Sequence, residues 1–186
     1  RSGARPAAFD DADWVHLVLE VLKGAFADRE FRYGDPAFVD VGLEQLLSAR
    51  HADARLALID PARASPGLPG PVGYEVDLAL HLPAPGPLGG SRPRDTSYVC
   101  VIDAEGRAFS ATPSDGSYAC PVIPGLGIVP SERGMQSRPD PRHPSGVAPG
   151  KRPRLTPNPA LAVRDDGSVL AIGCPGGDMQ VQAMLQ

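Results

Sequence analysis

Aromatic side chains are scarce: Phe, Tyr and Trp together make 5% of the 186 residues. Long apolar runs are missing as well, since none reaches the ~18 residues of a membrane span, and the opening Arg1-Ser2-Gly3-Ala4-Arg5-Pro6 leads into no signal-peptide core. No membrane partner is expected. Charge of one sign is absent too, with 18 basic against 22 acidic residues, a formal net charge of -4 and a pI near 5.5. The basic residues are scattered, so nucleic acid is not expected. Only two of the 18 are Lys, a bias we read, with the abundant Ala and Pro, as coding composition. Cysteine is limited to Cys100, Cys120 and Cys174, an odd number with no CxxC spacing and no nearby His pair. Neither a disulfide framework nor a metal site is expected; the three read as small buried thiols, a weak lean towards a reducing, cytoplasmic compartment.

What the chain has in plenty is Pro (22) and Gly (21), about 23% of its residues and close to the ~25–30% at which unstructured chains begin. Hydrophobic residues at 42% and the small net charge still leave enough apolar surface for a core. The expectation is a folded but loop-heavy chain, about one domain in length. Its prolines are unevenly placed: Pro6 and Pro36 alone precede residue 60, eight fall in 61–93 and eleven in 113–159.

Residues 1–60 read as helical. In 11–27, Trp14, Leu17, Val18, Val21, Leu22 and Ala25 recur at three- and four-residue spacing behind Asp10 and Asp11, which can cap the first turn. A second helix fits 41–58, with Leu43, Leu46, Leu47, Ala54 and Leu58 on one stripe after Asp40, and Tyr33-Gly34-Asp35-Pro36 is a turn between them. Residues 61–95 read as a Pro- and Gly-rich connector. From Thr96 the pattern becomes β-rich: strands at 96–103 and 107–112 flank Ala104-Glu105-Gly106, and strands at 161–164 and 169–172 flank Asp165-Asp166-Gly167, giving two hairpins. Between the hairpins lies loop, with one short apolar piece at Gly127-Ile128-Val129. After Gly176-Gly177 the chain turns into a helix that runs to Gln186 without a stop signal. The fold class expected is mixed α/β (α+β) with antiparallel pairing.

The junction Arg94-Asp95-Thr96-Ser97 sets an exposed, Pro-rich stretch against a strand that begins with Thr. If the chain is cut before Thr96, that residue carries a hydroxyl nucleophile and an α-amine of pKa ~7.7–8.0 able to take the hydroxyl proton. As an isolated feature, a Thr opening a strand is an ordinary β-former. Cys174-Pro175-Gly176-Gly177-Asp178 ends a strand and opens a helix, so that glycine N–H groups could hold a developing oxyanion; a plain tight turn would look the same. Pro149-Gly150-Lys151-Arg152 is no phosphate loop: Gly146 to Gly150-Lys151 is one residue short of GxxxxGK, and Arg152 stands where Ser or Thr is needed.

In order, Asp95 to Gly106, Pro149-Gly150-Lys151-Arg152-Pro153, Asn158-Pro159-Ala160 and Gly173-Cys174-Pro175-Gly176-Gly177-Asp178 resemble the start of the small subunit of γ-glutamyltransferases and their cephalosporin-acylase-like relatives. Upstream, Ala27-Asp28-Arg29, Tyr33-Gly34-Asp35-Pro36 and Phe38-Val39-Asp40-Val41 resemble the end of that family's large subunit. The resemblance implies an N-terminal-nucleophile hydrolase, made as a precursor that cleaves itself at Asp95-Thr96 into two subunits packed as an αββα sandwich. Thr96 would attack an amide carbonyl and pass the acyl group to water or an amine. Ser114 falls where the family has a hydroxyl supporting the nucleophile, and Gly176 and Gly177 match its oxyanion glycines. No cofactor and no metal are implied. The partners implied are a small amide or γ-glutamyl substrate, as in glutathione metabolism, and the remainder of the precursor or a second subunit.

Several positions depart from the transferase pattern. Where transferases hold the substrate's α-amino group with a Gln and an acid, this chain has Ser131-Glu132-Arg133-Gly134-Met135-Gln136. Arg133 and Gln136 are therefore candidate substrate contacts suited to an acid or acyl group; a solvent-facing cation is the plain alternative for Arg133. The paired serines after Lys-Arg-Pro are Leu155-Thr156, leaving Thr156 as a candidate contact, and an Asn beyond Ser114 is replaced by Gly116. These changes favour an acylase or biosynthetic-pathway hydrolase over a true transferase. The resemblance also starts late in the large subunit and stops partway through the small one, so the 186 residues alone are expected to show no appreciable turnover. A catalytically inactive, truncated relative acting through binding is the alternative.

Overall fold

The structure, a computed structural model, describes residues 11–81, 96–116 and 120–185. It divides into two compact units: one holds the described residues up to 81 with Arg138–Arg152, the other those from Thr96 to Ser137 with Pro153 onward.

In the first unit, helix α1 spans Ala12–Arg32. Asp11 starts it, its Oδ1 accepting from the N–H groups of Asp13 (3.0 Å) and Trp14 (3.1 Å), which satisfies two orphan donors of the first turn. The expected helix thus forms, but runs a turn further and buries another face. Its buried positions are Glu20, Gly24, Ala27, Asp28 and Phe31, not the Trp14–Leu17–Val21 stripe. The reason is polar. Asp28 is a hub: its carboxylate accepts from His51 Nε2 (2.8 Å), Tyr74 Oη (2.6 Å) and the Arg55 guanidinium. Burial alone would raise the Asp28 pKa, but these three donors hold it below the ordinary value.

The second predicted helix is broken in two, α2 at Leu43–Leu46 and α3 at Ala49–Leu56. Ser48 causes the break: its backbone is extended and its Oγ accepts from His51 N–H (3.1 Å), opening a new helix. Leu43, Leu47 and Leu58 of the predicted stripe are exposed, and His51 is the residue buried from α3.

The stretch read as a connector is pinned over its described part. Ser65 O accepts from Lys23 Nζ (2.7 Å), Gly70 O from Arg55 Nη1 (2.7 Å) and Gly73 O from Gln45 Nε2 (2.7 Å). Two motifs that lie far apart in sequence meet in this unit. Arg152 donates to Asp35 Oδ2 from its backbone N–H (2.9 Å) and its Nε (3.1 Å), while Ser145 Oγ bonds Tyr33 O. A Cβ on Gly34 would stand 2.7 Å from the Pro144 carbonyl carbon, so this close approach excludes any side chain there. Lys151 lies over the Phe38 ring at 5.7 Å. Lys151 and Arg152 are thus both held by contacts within this unit.

The second unit holds both predicted hairpins. Strands β1 (Val99–Ile102) and β2 (Ala108–Ala111) pair antiparallel, with Val101 opposite Phe109. Strands β3 (Ala160–Val163) and β4 (Val169–Ile172) pair antiparallel, with Ala162 opposite Leu170. Gly106 (φ 80°) and Gly167 (φ 82°) supply the left-handed residue that each turn requires. The apolar piece at 127–129 forms no strand; the regular structure in that loop is a 3₁₀ turn at Glu132–Gln136. Helix α4 covers Met179–Met184.

Buried apolar side chains are few. Ala27 and Phe31 are those among the described residues, whereas Val99, Val101, Ile102, Phe109, Leu161 and Val163 are exposed. The cysteines are free but not buried as expected: Cys100 is exposed, and Cys120 and Cys174 are half-buried. Cys100 sits on the two-stranded β1–β2 sheet, whose β2 packs against β3 and β4. No helix of the described residues is long and apolar enough to cross a membrane.

Candidate active site

Thr96 is the first described residue of the second unit, and Asp95, the other side of the expected cleavage bond, lies outside the described residues. The Ser97 N–H donates to Pro113 O (2.9 Å), continuing the β1–β2 ladder past the strand ends. That extension sets the residues before β1 against those after β2. As a result Thr96 Oγ1 and Ser114 Oγ stand 2.6 Å apart, within strong hydrogen-bond range.

A third residue joins them. The Arg133 guanidinium donates through Nη2 to both the Oγ and the carbonyl O of Ser114. The 3₁₀ turn that carries Arg133 is laced to the loop after β2. Glu132 N–H donates to Gly116 O (3.1 Å), Ser131 Oγ donates to Asp115 Oδ1 (2.6 Å), and the same Ser131 Oγ accepts from Arg133 N–H (3.1 Å). Gln136 closes the turn. In the amide orientation that satisfies both ends, its O accepts from Arg133 Nη1 (3.0 Å) and its N donates to Arg154 O. Thr96, Ser114, Arg133 and Gln136 are thus one connected chain of hydrogen bonds. Thr156 does not join it; its carbonyl accepts from Asn158 Nδ2 (3.0 Å).

The Gly176-Gly177 turn follows β4. Its backbone sits at φ 130° and 58°, a region that L side chains rarely adopt. A Cβ on Gly177 would meet nothing within 4 Å, so backbone conformation, not space, selects glycine there. Tyr98 links this turn to the segment between Thr96 and β1. A Cβ on Gly173 would overlap Cδ2 and Cε2 of the Tyr98 ring, so the ring lies flush on the backbone three residues before Gly176. Tyr98 Oη is held by Ser110 Oγ (3.0 Å). The Asn158 motif arrives here too, its N–H donating to Oε1 of the fully buried Gln180 (3.0 Å).

A second polar cluster, unforeseen from sequence, lies in the first unit. Glu30, His81 and His143 bring one ligand-type atom each within 4.8 Å of one another. Hydrogen-bond polarity argues against a cation. The Ser145 N–H donates to His143 Nδ1 (2.9 Å), so the neutral ring carries its proton on Nε2. That is the atom facing His81 Nδ1 (3.1 Å) and Glu30 Oε1 (3.4 Å), where a metal would need a lone pair. Arg138 already pairs with Glu30. Burial and the neighbouring His143 push the His81 pKa down. Three residues at 30, 81 and 143 have no spacing that a sequence motif could reveal.

The family model described as gamma-glutamyltranspeptidase matches residues 4–186. Among curated proteins, the chain is 37% identical to the oxamate amidohydrolase proenzyme of Klebsiella pneumoniae over 177 residues, covering 93% of this chain and 29% of that protein. It is 35% identical to the acylase ACY 1 proenzyme of Pseudomonas sp. (strain SE83) over 170 residues, covering 90% and 27%. Identity to the glutathione hydrolase proenzyme of Escherichia coli is 28% over 195 residues, covering 96% and 30%. Among solved structures, that of LmbA2991HD superposes with a TM-score of 0.80 at 36% identity, covering 96% of this chain and 31% of that one. The chain therefore spans less than a third of the length of these relatives. With the family model matching nearly end to end, the chain belongs to the γ-glutamyltranspeptidase family.

Proposed function

We propose that this chain carries the nucleophile of an N-terminal-nucleophile amidohydrolase or acyltransferase, with Thr96 as the attacking residue once the Asp95–Thr96 bond is cleaved. The observation that carries the reading is the 2.6 Å contact between Thr96 Oγ1 and Ser114 Oγ. A threonine whose hydroxyl is bonded to a second, positioned hydroxyl is set up to lose a proton.

In the cleaved protein the α-amine of Thr96 takes the Oγ1 proton as Oγ1 bonds to the substrate's amide carbon. The carbonyl π electrons move onto oxygen, and that charge is taken up by N–H groups of the Gly176-Gly177 turn. Collapse of the tetrahedral adduct breaks the C–N bond, and the α-ammonium returns its proton to the leaving amine. Water or a second amine then attacks the ester, with the α-amine as base again, and frees Thr96. The apolar faces of β1–β2 and β3–β4 would be covered by the remaining strands of an αββα sandwich.

For substrate, an acyl group other than γ-glutamyl fits best. Arg133 and Gln136 occupy the positions that would receive an α-amino group, and a guanidinium beside a cationic amine is repulsive. The higher identity to an acylase and an oxamate amidohydrolase than to a glutathione hydrolase points the same way. The test uses the full polypeptide that carries this chain. Intact mass and N-terminal sequencing should find a product beginning at Thr96, and Thr96→Ala should stay uncut and inactive. A glutaryl amide should be hydrolysed faster than γ-glutamyl-p-nitroanilide. An active wild-type preparation that stays a single uncut chain would overturn the reading.

A further inference from the structure

We propose that Arg133 is a positioning residue for the nucleophile: by donating to Ser114 Oγ it turns the Ser114 hydroxyl towards Thr96, so that Ser114 donates to Thr96 Oγ1. This gives Arg133 a role towards the nucleophile beyond repelling a cationic amine on the substrate, and it rests on the reading of Thr96 given above.

A serine Oγ has one proton and two lone pairs, and a guanidinium has donors only and does not lose its charge. Once Arg133 Nη2 occupies a lone pair of Ser114 Oγ, the Ser114 proton remains to be placed. Accepting from a cation makes a hydroxyl a stronger donor, by ~10–30% in condensed-phase estimates of hydrogen-bond cooperativity. The partner at 2.6 Å is Thr96 Oγ1. With Ser114 donating, the Thr96 proton points away from Ser114 and is available to a base, and negative charge growing on Oγ1 meets a polarised donor. Nη2 also binds the Ser114 carbonyl, which fixes the backbone carrying that hydroxyl. Gln136 holds Nη1 (3.0 Å), so the guanidinium faces its own chain at two of its three nitrogens. The Ser131–Asp115 and Glu132–Gly116 bonds keep the whole turn in register with Ser114.

The experiment is a double-mutant cycle in the full polypeptide, with Arg133→Met, Ser114→Ala and the pair combined, and with Arg133→Lys as a variant that keeps the charge. Readouts are the rate of self-cleavage and kcat, KM and their pH dependence on an N-acyl p-nitroanilide, per mole of mature Thr96 terminus. Arg133→Met should lower kcat 10- to 100-fold with KM changed less than threefold, and Arg133→Lys should fall between it and the wild type. In the Ser114→Ala background Arg133→Met should add less than threefold. Removing a cation near the Thr96 α-amine should also move the acid limb of kcat/KM to higher pH, because a like charge no longer disfavours the ammonium. A rise in KM at constant kcat, or an equal loss in both backgrounds, would overturn the proposal. A wild-type chain that never cleaves removes its premise, and that result is read before any Arg133 variant is compared.

Discussion

The ring of Tyr98 lies against the backbone of Gly173, filling the space a side chain there would need. Tyr98 is two residues past Thr96 and Gly173 three before Gly176, so this one contact ties the segment that carries the candidate nucleophile to the glycine turn.

Gly173→Ala should therefore destabilise the second unit by about 1–3 kcal/mol, the usual range for overpacking. Denaturant titration checks the size of the loss. Adding Tyr98→Ala should recover part of it, because the two positions share one space and their effects are not additive.

Asp28→Ala should be the more severe change in the first unit. It leaves the Arg55 side chain, only 11% exposed, without its carboxylate, and strands His51 Nε2 and Tyr74 Oη as well. Breaking one partner of a buried pair costs about 3–5 kcal/mol. The pH dependence follows from the direction of the Asp28 shift. Its folded pKa lies below the unfolded value, so its contribution is complete above pH ~4 and is lost as pH falls through the folded pKa. Thermal melts from pH 7 to 3 should show this loss in the wild type and not in Asp28→Ala.

His81 acts in a different pH window. Its pKa is pushed down in the folded chain, so the unfolded chain binds a proton first as pH drops below ~6.5. Stability present at pH 7.5 should fall between pH 6.5 and the lower folded pKa. His81→Asn should flatten the Tm profile between pH 7 and 5 and leave the Asp28 limb below pH 4 in place.

Ser114→Ala should slow both self-cleavage and turnover in the full polypeptide on the order of 10- to 100-fold, the worth of one hydrogen bond to a charged oxygen. KM for the acyl substrate should stay near the wild-type value, since the lost bond is to the nucleophile. Single-turnover kinetics on matured protein separates the two effects.

Local features were readable directly. The Asp11 cap, the two hairpins with their glycine turns, and the helix after Gly177 depend on residues within a few positions of one another, where capping and turn chemistry act. The Leu stripe on either side of Ser48 reads as one helix, whereas the Ser48 hydroxyl caps a new one. Sequence periodicity scores Glu20 and Asp28 as polar and outward, whereas both are buried on α1. Lys23, Arg55, His51 and Tyr74 pair with them and make burial affordable.

The sequence by itself determined the family through its ordered motifs, the hairpins by their alternation and turns, and the candidates Thr96, Ser114, Gly176 and Gly177. The tertiary structure alone decided which of them meet. It joins Thr96 to Ser114 across 18 positions and Arg133 to Ser114 across 19, binds Asp35 to Arg152 across 117, and gathers Glu30, His81 and His143. Contacts of that separation depend on how the whole chain packs and on which buried polar atoms must find partners, and no local pattern of residue types encodes them.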